Sequence, residues 1–184
     1  MKDYYNGLIG KNHEKCRKIH SLEYKIMKRW YYCMDVCKYA HNFGYNVVDN
    51  EIYQPIIDFL EKTNFIIEPG SSRKLRAVIE EKLNILGWSD KVRIHFEKEI
   101  TITSMKDNIG LCLQTGNMSR FYADLLKLQT LFIKDKIDAA IYIIPSKNAA
   151  KIIGDNIANA ERLVDELYLY RHIITVPIAV VSVE

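Results

Sequence analysis

The sequence has no apolar run near the ~18 residues that a membrane-crossing helix needs, which argues against a spanning segment. Its opening stretch, MKDYYNGLIGKNHEK, lacks the long apolar centre of a secretory signal, so the expected compartment is the cytoplasm. No CxxC pair occurs among Cys16, Cys33, Cys37 and Cys112, which removes the usual spacing of a structural zinc site. There is no internal repeat and no low-complexity tract. Excess charge of one sign is scarce as well. A net charge of +3 over 184 residues does not announce a polyanion partner, but permits one if basic residues gather on one face. With 48% hydrophobic and 27% charged residues, the composition suits a globular chain with a core large enough for one domain.

What is present has clear periodicity. From about His13 to Asn42, Ile19, Leu22, Ile26, Trp30, Cys33 and Cys37 recur at three- and four-residue steps, predicting a long helix. On that helix Cys33 and Cys37 share a face with His41, a conceivable metal site whose simpler reading is two small buried residues. EIYQPIIDFLEKTN predicts a second short helix or an extended segment. The loop FIIEPGSSRK follows, where Ser71 or Ser72 can cap a helix carrying Leu75, Ile79, Leu83 and Leu86 and ending at Gly87. VRIHFEKEITI alternates as a strand with one wet face. SMKDN predicts a turn, and NIGLCLQ a strand running back. A helix over Phe121–Lys134, an apolar strand DAAIYIIP, a helix over Lys147–Tyr170 and a closing strand complete the order. Strands separated by helices predict an α/β fold: a central mixed sheet flanked by helices, with residues 1–65 a mainly helical N-terminal extension and 66–184 the core.

In the strand NIGLCLQ, Ile109, Leu111 and Leu113 share one face, and Cys112 and Gln114 the other. Asp107 precedes them in a turn, and Glu80 lies on the preceding helix. An acid at a turn followed by two polar positions one residue apart on a strand is the layout of many metal-dependent nucleases, whose Mg²⁺ ions need hard oxygen ligands. Arg73, Lys74 and Arg76 at a helix start, and Asn117, Ser119 and Arg120 in TGNMSR, are candidate phosphate or DNA contacts. The basic residues Lys15, Arg17, Lys18, Lys25, Lys28 and Arg29 form a third positive surface. Each has an ordinary reading beside it: solvated charge for the basic residues, Glu80 and Glu81, a turn former for Asp107, a small buried residue for Cys112.

The segments EPGSSRKLRAVIEEKLNILGW, NIGLCLQTGNMSRFYADLLKLQTLF and IDAAIYIIP resemble, in order and spacing, the BglII/BstYI-type restriction endonucleases, a family related to BamHI. The resemblance covers roughly Ile66–Glu184. It implies a restriction-endonuclease-like, PD-(D/E)XK-type core, Mg²⁺ as cofactor of an active enzyme, double-stranded DNA as partner and a homodimer matching a palindrome. It also implies a glutamate where this chain has Cys112, a glutamate or glutamine at Gln114, and an upstream aspartate, for which Asp107 is the nearest metal-ligand candidate. Cys112 departs from that pattern, because a protonated thiol is a poor ligand for Mg²⁺. The expectation is a degenerate nuclease that retains DNA recognition or serves regulation, with cleavage impaired or lost. The alternatives are an active Mg²⁺-dependent type II site-specific deoxyribonuclease completed by Glu97, Glu99 or Asp124, and a non-enzymatic module binding a regulatory protein, for which Tyr24, Trp30, Tyr31 and Tyr32 offer a surface.

Overall fold

The computed structural model describes residues 33–184. Most of the expected N-terminal helix, with its basic residues and the aromatic surface from Tyr24 to Tyr32, lies outside them. Where that expectation can be compared, it is corrected. Val36–His41 is a strand, β1, paired antiparallel with the last strand from Val36↔Val183 to His41↔Ile178. The three- and four-residue spacing of apolar side chains yields here to the ladder offered by a distant strand, which no local window contains. The Cys33–Cys37–His41 arrangement falls with the helix. His41 is buried and bonded through Nε2 to Ile174 O at 2.7 Å.

A four-residue helix, α1 (Gly44–Val47), then crosses the last strand, β7 (Ile178–Val183), closely. A Cβ at Gly44 would lie 2.1 Å from the Ile178 carbonyl carbon, so only glycine fits. EIYQPIIDFLEKTN resolves as the helix α2 (Asn50–Lys62), capped by Asp49 accepting from Glu51 N, with Ile56, Ile57 and Leu60 as its buried stripe. The predicted helix α3 (Ser72–Ile85) buries Leu75, Ile79 and Leu83. It closes in a Schellman turn: Gly87 has φ 79°, its N–H donates to Asn84 O, and Trp88 N donates to Leu83 O. The caps at its start differ from expectation. Ser71 accepts from Glu68 N, and Ser72 donates to Thr115.

VRIHFEKEITI is not one strand. It supplies two short pieces, β2 (Val92–Arg93) and β3 (Thr101–Ile102), paired with each other, while the residues between them bend away into solvent. The strand that runs beside NIGLCLQ is β4 (Ser104–Lys106), paired antiparallel with β5 (Ile109–Leu113). The turn is shorter than SMKDN. Asp107 and Asn108 make it alone with φ 46° and 59°, the left-handed pair of a tight hairpin.

Helix α4 (Ser119–Ile133), strand β6 (Ala139–Pro145), helices α5 (Lys147–Ile153) and α6 (Ala160–Leu169), and strand β7 (Ile178–Val183) follow. The helix expected over Lys147–Tyr170 is thus two. Gly154, with φ 156°, ends the first, and Asn159 caps the second by accepting from Arg162 N.

The sheet order is β1-β7-β6-β5-β4, with β5, β6 and β7 parallel and the two edges antiparallel. Alternation divides the core into two layers. Leu111, Leu113, Ile141, Ile143, Val181 and Val183 pack toward α2 and α3. Cys112, Tyr142, Ile144, Ile178 and Val180 pack toward α4 and α6. The central strands are apolar on both sides because helices cover both.

Candidate functional site

The end of β5 is where the elements converge. Ser72, at the start of α3, donates through Oγ to Thr115 O and lies 3.2 Å from Thr115 Oγ1. Arg76, one turn on, pairs with Glu80 at 2.7 Å and donates to Leu113 O. Ala158 N donates to Gly116 O, and Met118 N to Asn156 O, which fastens the loop after β5 to the loop between α5 and α6. The segment TGNMSR is therefore held from both sides of the sheet.

On the α4 side of β5 lies a polar cluster. Gln114 Nε2 donates to Asp124 Oδ2 at 2.8 Å, and the Tyr142 hydroxyl donates to the same oxygen at 3.2 Å. Lys127 Nζ binds Asp124 Oδ1 at 2.8 Å. Beneath them, Cys112 is buried among apolar side chains of α4 and its neighbours. Burial, and then the nearby Asp124 charge, push its thiol far above its ordinary value, so it stays protonated. The same two causes raise Tyr142.

Thr103 lies against Cys112 across the hairpin. Its N–H donates to Leu111 O at 3.1 Å, and its hydroxyl accepts from Leu113 N at 3.0 Å, so it spans Cys112. Alternation in the sequence pairs NIGLCLQ with VRIHFEKEITI and leaves Thr103 outside the strand, so the sequence does not single it out. With the short Asp107–Asn108 turn, counting back from Ser104↔Leu111 identifies it.

The nominated catalytic residues do not assemble. Asp107 is exposed at the turn, five residues from Cys112 along the strand, a separation of about 16 Å. Glu80 is on α3. It is paired with Arg76 and lines a cleft with Asn84, Asp90, Thr103 and Ser104. Cys112 and Gln114 do share a face, as expected. Of the other acids weighed, Glu97 and Glu99 sit in the exposed excursion between β2 and β3, and Asp124 joins Gln114. The candidate DNA contacts divide. Arg73 and Arg120 are exposed near the fastened loop, as are Asn117 and Ser119, while Lys74 pairs with Glu68 at 3.0 Å and Arg76 is turned inward.

The donors present do not suit Mg²⁺. From Ile109 to Thr115, β5 and its extension carry no carboxylate on either face. Asp124, which approaches Gln114, already binds an ammonium, an amide and a phenol. Among the described residues no group of three His, Cys, Asp or Glu side chains is placed to hold a metal ion.

A five-stranded mixed sheet ending in an antiparallel hairpin, with helices on both faces, is a restriction-endonuclease-like α/β fold. Solved structures match it: restriction endonuclease BglII complexed with a DNA 16-mer, at a TM-score of 0.68 and 13% identity over 81% of this chain and 75% of that one. Free BglII matches at a TM-score of 0.63 and 16% identity, over 80% and 78%. A family model for restriction endonuclease BglII/BglIII matches residues 36–183, and the chain belongs to that family. The match takes in β1 and α2, well before the Ile66 start of the resemblance read from motifs. No curated protein matches the chain. No helix among the described residues is long and apolar enough to cross a membrane.

Proposed function

We propose that this chain recognises double-stranded DNA and does not perform the metal-dependent cleavage of its family. The observation that carries this reading is the chemistry of three neighbouring positions, Thr103, Cys112 and Gln114. They offer a hydroxyl, a buried protonated thiol and an amide already bonded on both sides. Mg²⁺ demands near-octahedral hard oxygen ligands and parts with water reluctantly, and nothing at these positions repays that cost. Recognition asks for different groups. Exposed Arg73, Arg120, Asn117 and Ser119 lie around a fastened loop beside the start of α3, where side chains and backbone N–H groups suit phosphates and base edges. BglII, whose fold this chain shares, is itself seen on a DNA 16-mer. A palindromic site would be met by two copies related by a two-fold axis, so the proposal includes a homodimer.

The test is a titration of labelled duplexes from a palindrome library at low and moderate salt. Binding that weakens steeply as salt rises supports the reading, since released counterions drive such association. Absence of binding at low salt, with a folded protein, contradicts it. Retention of one particular protein instead of DNA would turn the assignment toward the regulatory module.

A further inference from the structure

Asp124 sits near the start of α4 with its carboxylate turned into the sheet. An ionised carboxylate accepts hydrogen bonds and donates none. Facing Gln114, it forces that side chain to present its NH₂ group, as the 2.8 Å bond from Nε2 to Oδ2 records. The amide oxygen must then point the other way. There Oε1 accepts from Gly116 N at 2.9 Å. Turning the amide over would set its oxygen against the carboxylate and its NH₂ against a backbone N–H, two mismatches at once. Lys127 and Tyr142 hold the carboxylate in this pose from its other sides.

The consequence runs along the loop. Gly116 is placed by Gln114 through its N–H and by Ala158 through its carbonyl. Asn117 follows, its Oδ1 accepting from Ser119 N at 2.8 Å and Ser119 Oγ at 2.9 Å, so that its NH₂ group is the part turned outward for a partner. We infer that Asp124 is a positioning residue that acts through Gln114 to set the loop carrying Asn117, Ser119 and Arg120 for contact with duplex DNA. The contact with DNA rests on the proposed function, while the relay from Asp124 to Gly116 stands on its own geometry.

The experiment measures amide hydrogen exchange of the full-length chain, residue by residue and without DNA, for the parent, Asp124→Ala and Asp124→Asn. Asn keeps an acceptor for Gln114, and Ala does not. The expected result is exchange at Gly116 about fivefold faster in D124A, the scale of one lost hydrogen bond, with Leu111 and Leu128 unchanged and D124N close to the parent. DNA dissociation is then expected to quicken in D124A and recover in D124N. Equal acceleration at Gly116, Leu111 and Leu128, or a D124N variant no better than D124A, overturns the relay. If D124A does not fold, Gln114→Met takes its place, a similar shape without the hydrogen bonds, and unchanged exchange at Gly116 overturns the relay there. Gly116 responding as described while the parent itself binds no duplex overturns the DNA reading alone.

Discussion

Thr103 spans Cys112 across the hairpin, donating its amide to Leu111 O and accepting Leu113 N–H at its hydroxyl. A hydroxyl engaged with backbone beside a buried thiol is a pair of groups without charge, and the soft, protonated sulfur is a poor ligand for a hard divalent cation. Mg²⁺ therefore meets two uncharged groups side by side here.

Mg²⁺ at about 10 mM is expected to leave the melting temperature of the chain unchanged. A site with Kd of about 1 mM would add about 1.4 kcal/mol at that concentration, a rise of about 3–6 °C. The double variant Thr103→Asp/Cys112→Glu is expected to melt lower than the parent in chelator, because it buries two carboxylates side by side, and to recover when Mg²⁺ is added. Differential scanning calorimetry reads both, and a Mg²⁺-induced rise in the parent contradicts the account.

Ser72→Ala removes the tie between the start of α3 and Thr115. The expected loss is about 1 kcal/mol of stability in urea denaturation. A several-fold loss of DNA affinity is expected to accompany it, because the exposed residues of helix and loop would no longer be held together. Unchanged affinity would separate α3 from the recognition surface.

Gly44→Ala is expected to be far more damaging than its exposed surroundings in the sequence suggest. The added carbon meets the backbone of Ile178 at 2.1 Å, and neither chain segment can yield without breaking the β1–β7 ladder. A loss of about 3 kcal/mol or more is expected, at the upper end of overpacking effects. Equilibrium unfolding measures it, and a loss under 1 kcal/mol would show that α1 can lift off β7.

Alkaline pH is expected to destabilise the fold. Burial raises Cys112 above its ordinary 9.0, and Tyr45 and Tyr142 above their ordinary 10.0. Above about pH 9 the unfolded chain releases these protons while the native chain keeps them, so the unfolded state binds fewer protons and stability falls as pH rises. Their contribution is intact below about pH 9. Cys112→Ala is expected to move the onset upward toward the tyrosine range. A melting temperature that holds level from pH 9 to about 11 contradicts the assignment.

The parts of the fold written in local pattern were legible. Helix α3 announces itself through Leu75, Ile79 and Leu83 and stops at Gly87, whose φ of 79° is a local demand. The faces of β5 followed from alternation, and Cys112 and Gln114 share one as expected. Strand β1 was not legible, since Val36–His41 is extended only because β7, about 140 residues later, offers it a ladder. The hairpin was half legible. Its second strand was seen, but its true partner, Ser104–Lys106, was hidden inside a segment rich in turn-forming residues. The alternating pattern therefore points to Asp107, while Thr103 becomes visible only in the register Ser104↔Leu111. The cluster around Asp124 was out of reach for a different reason: it joins β5, α4 and β6 through side chains whose meeting depends on how α4 lies on the sheet.

The central claim is that the chain binds duplex DNA and leaves it whole. Plasmid DNA carrying a site selected by the protein should be incubated with stoichiometric protein and Mg²⁺, with binding followed in parallel. The account predicts a retained, salt-sensitive complex and intact supercoiled plasmid after prolonged incubation. Discrete fragments cut at that site, and absent in chelator, would contradict it.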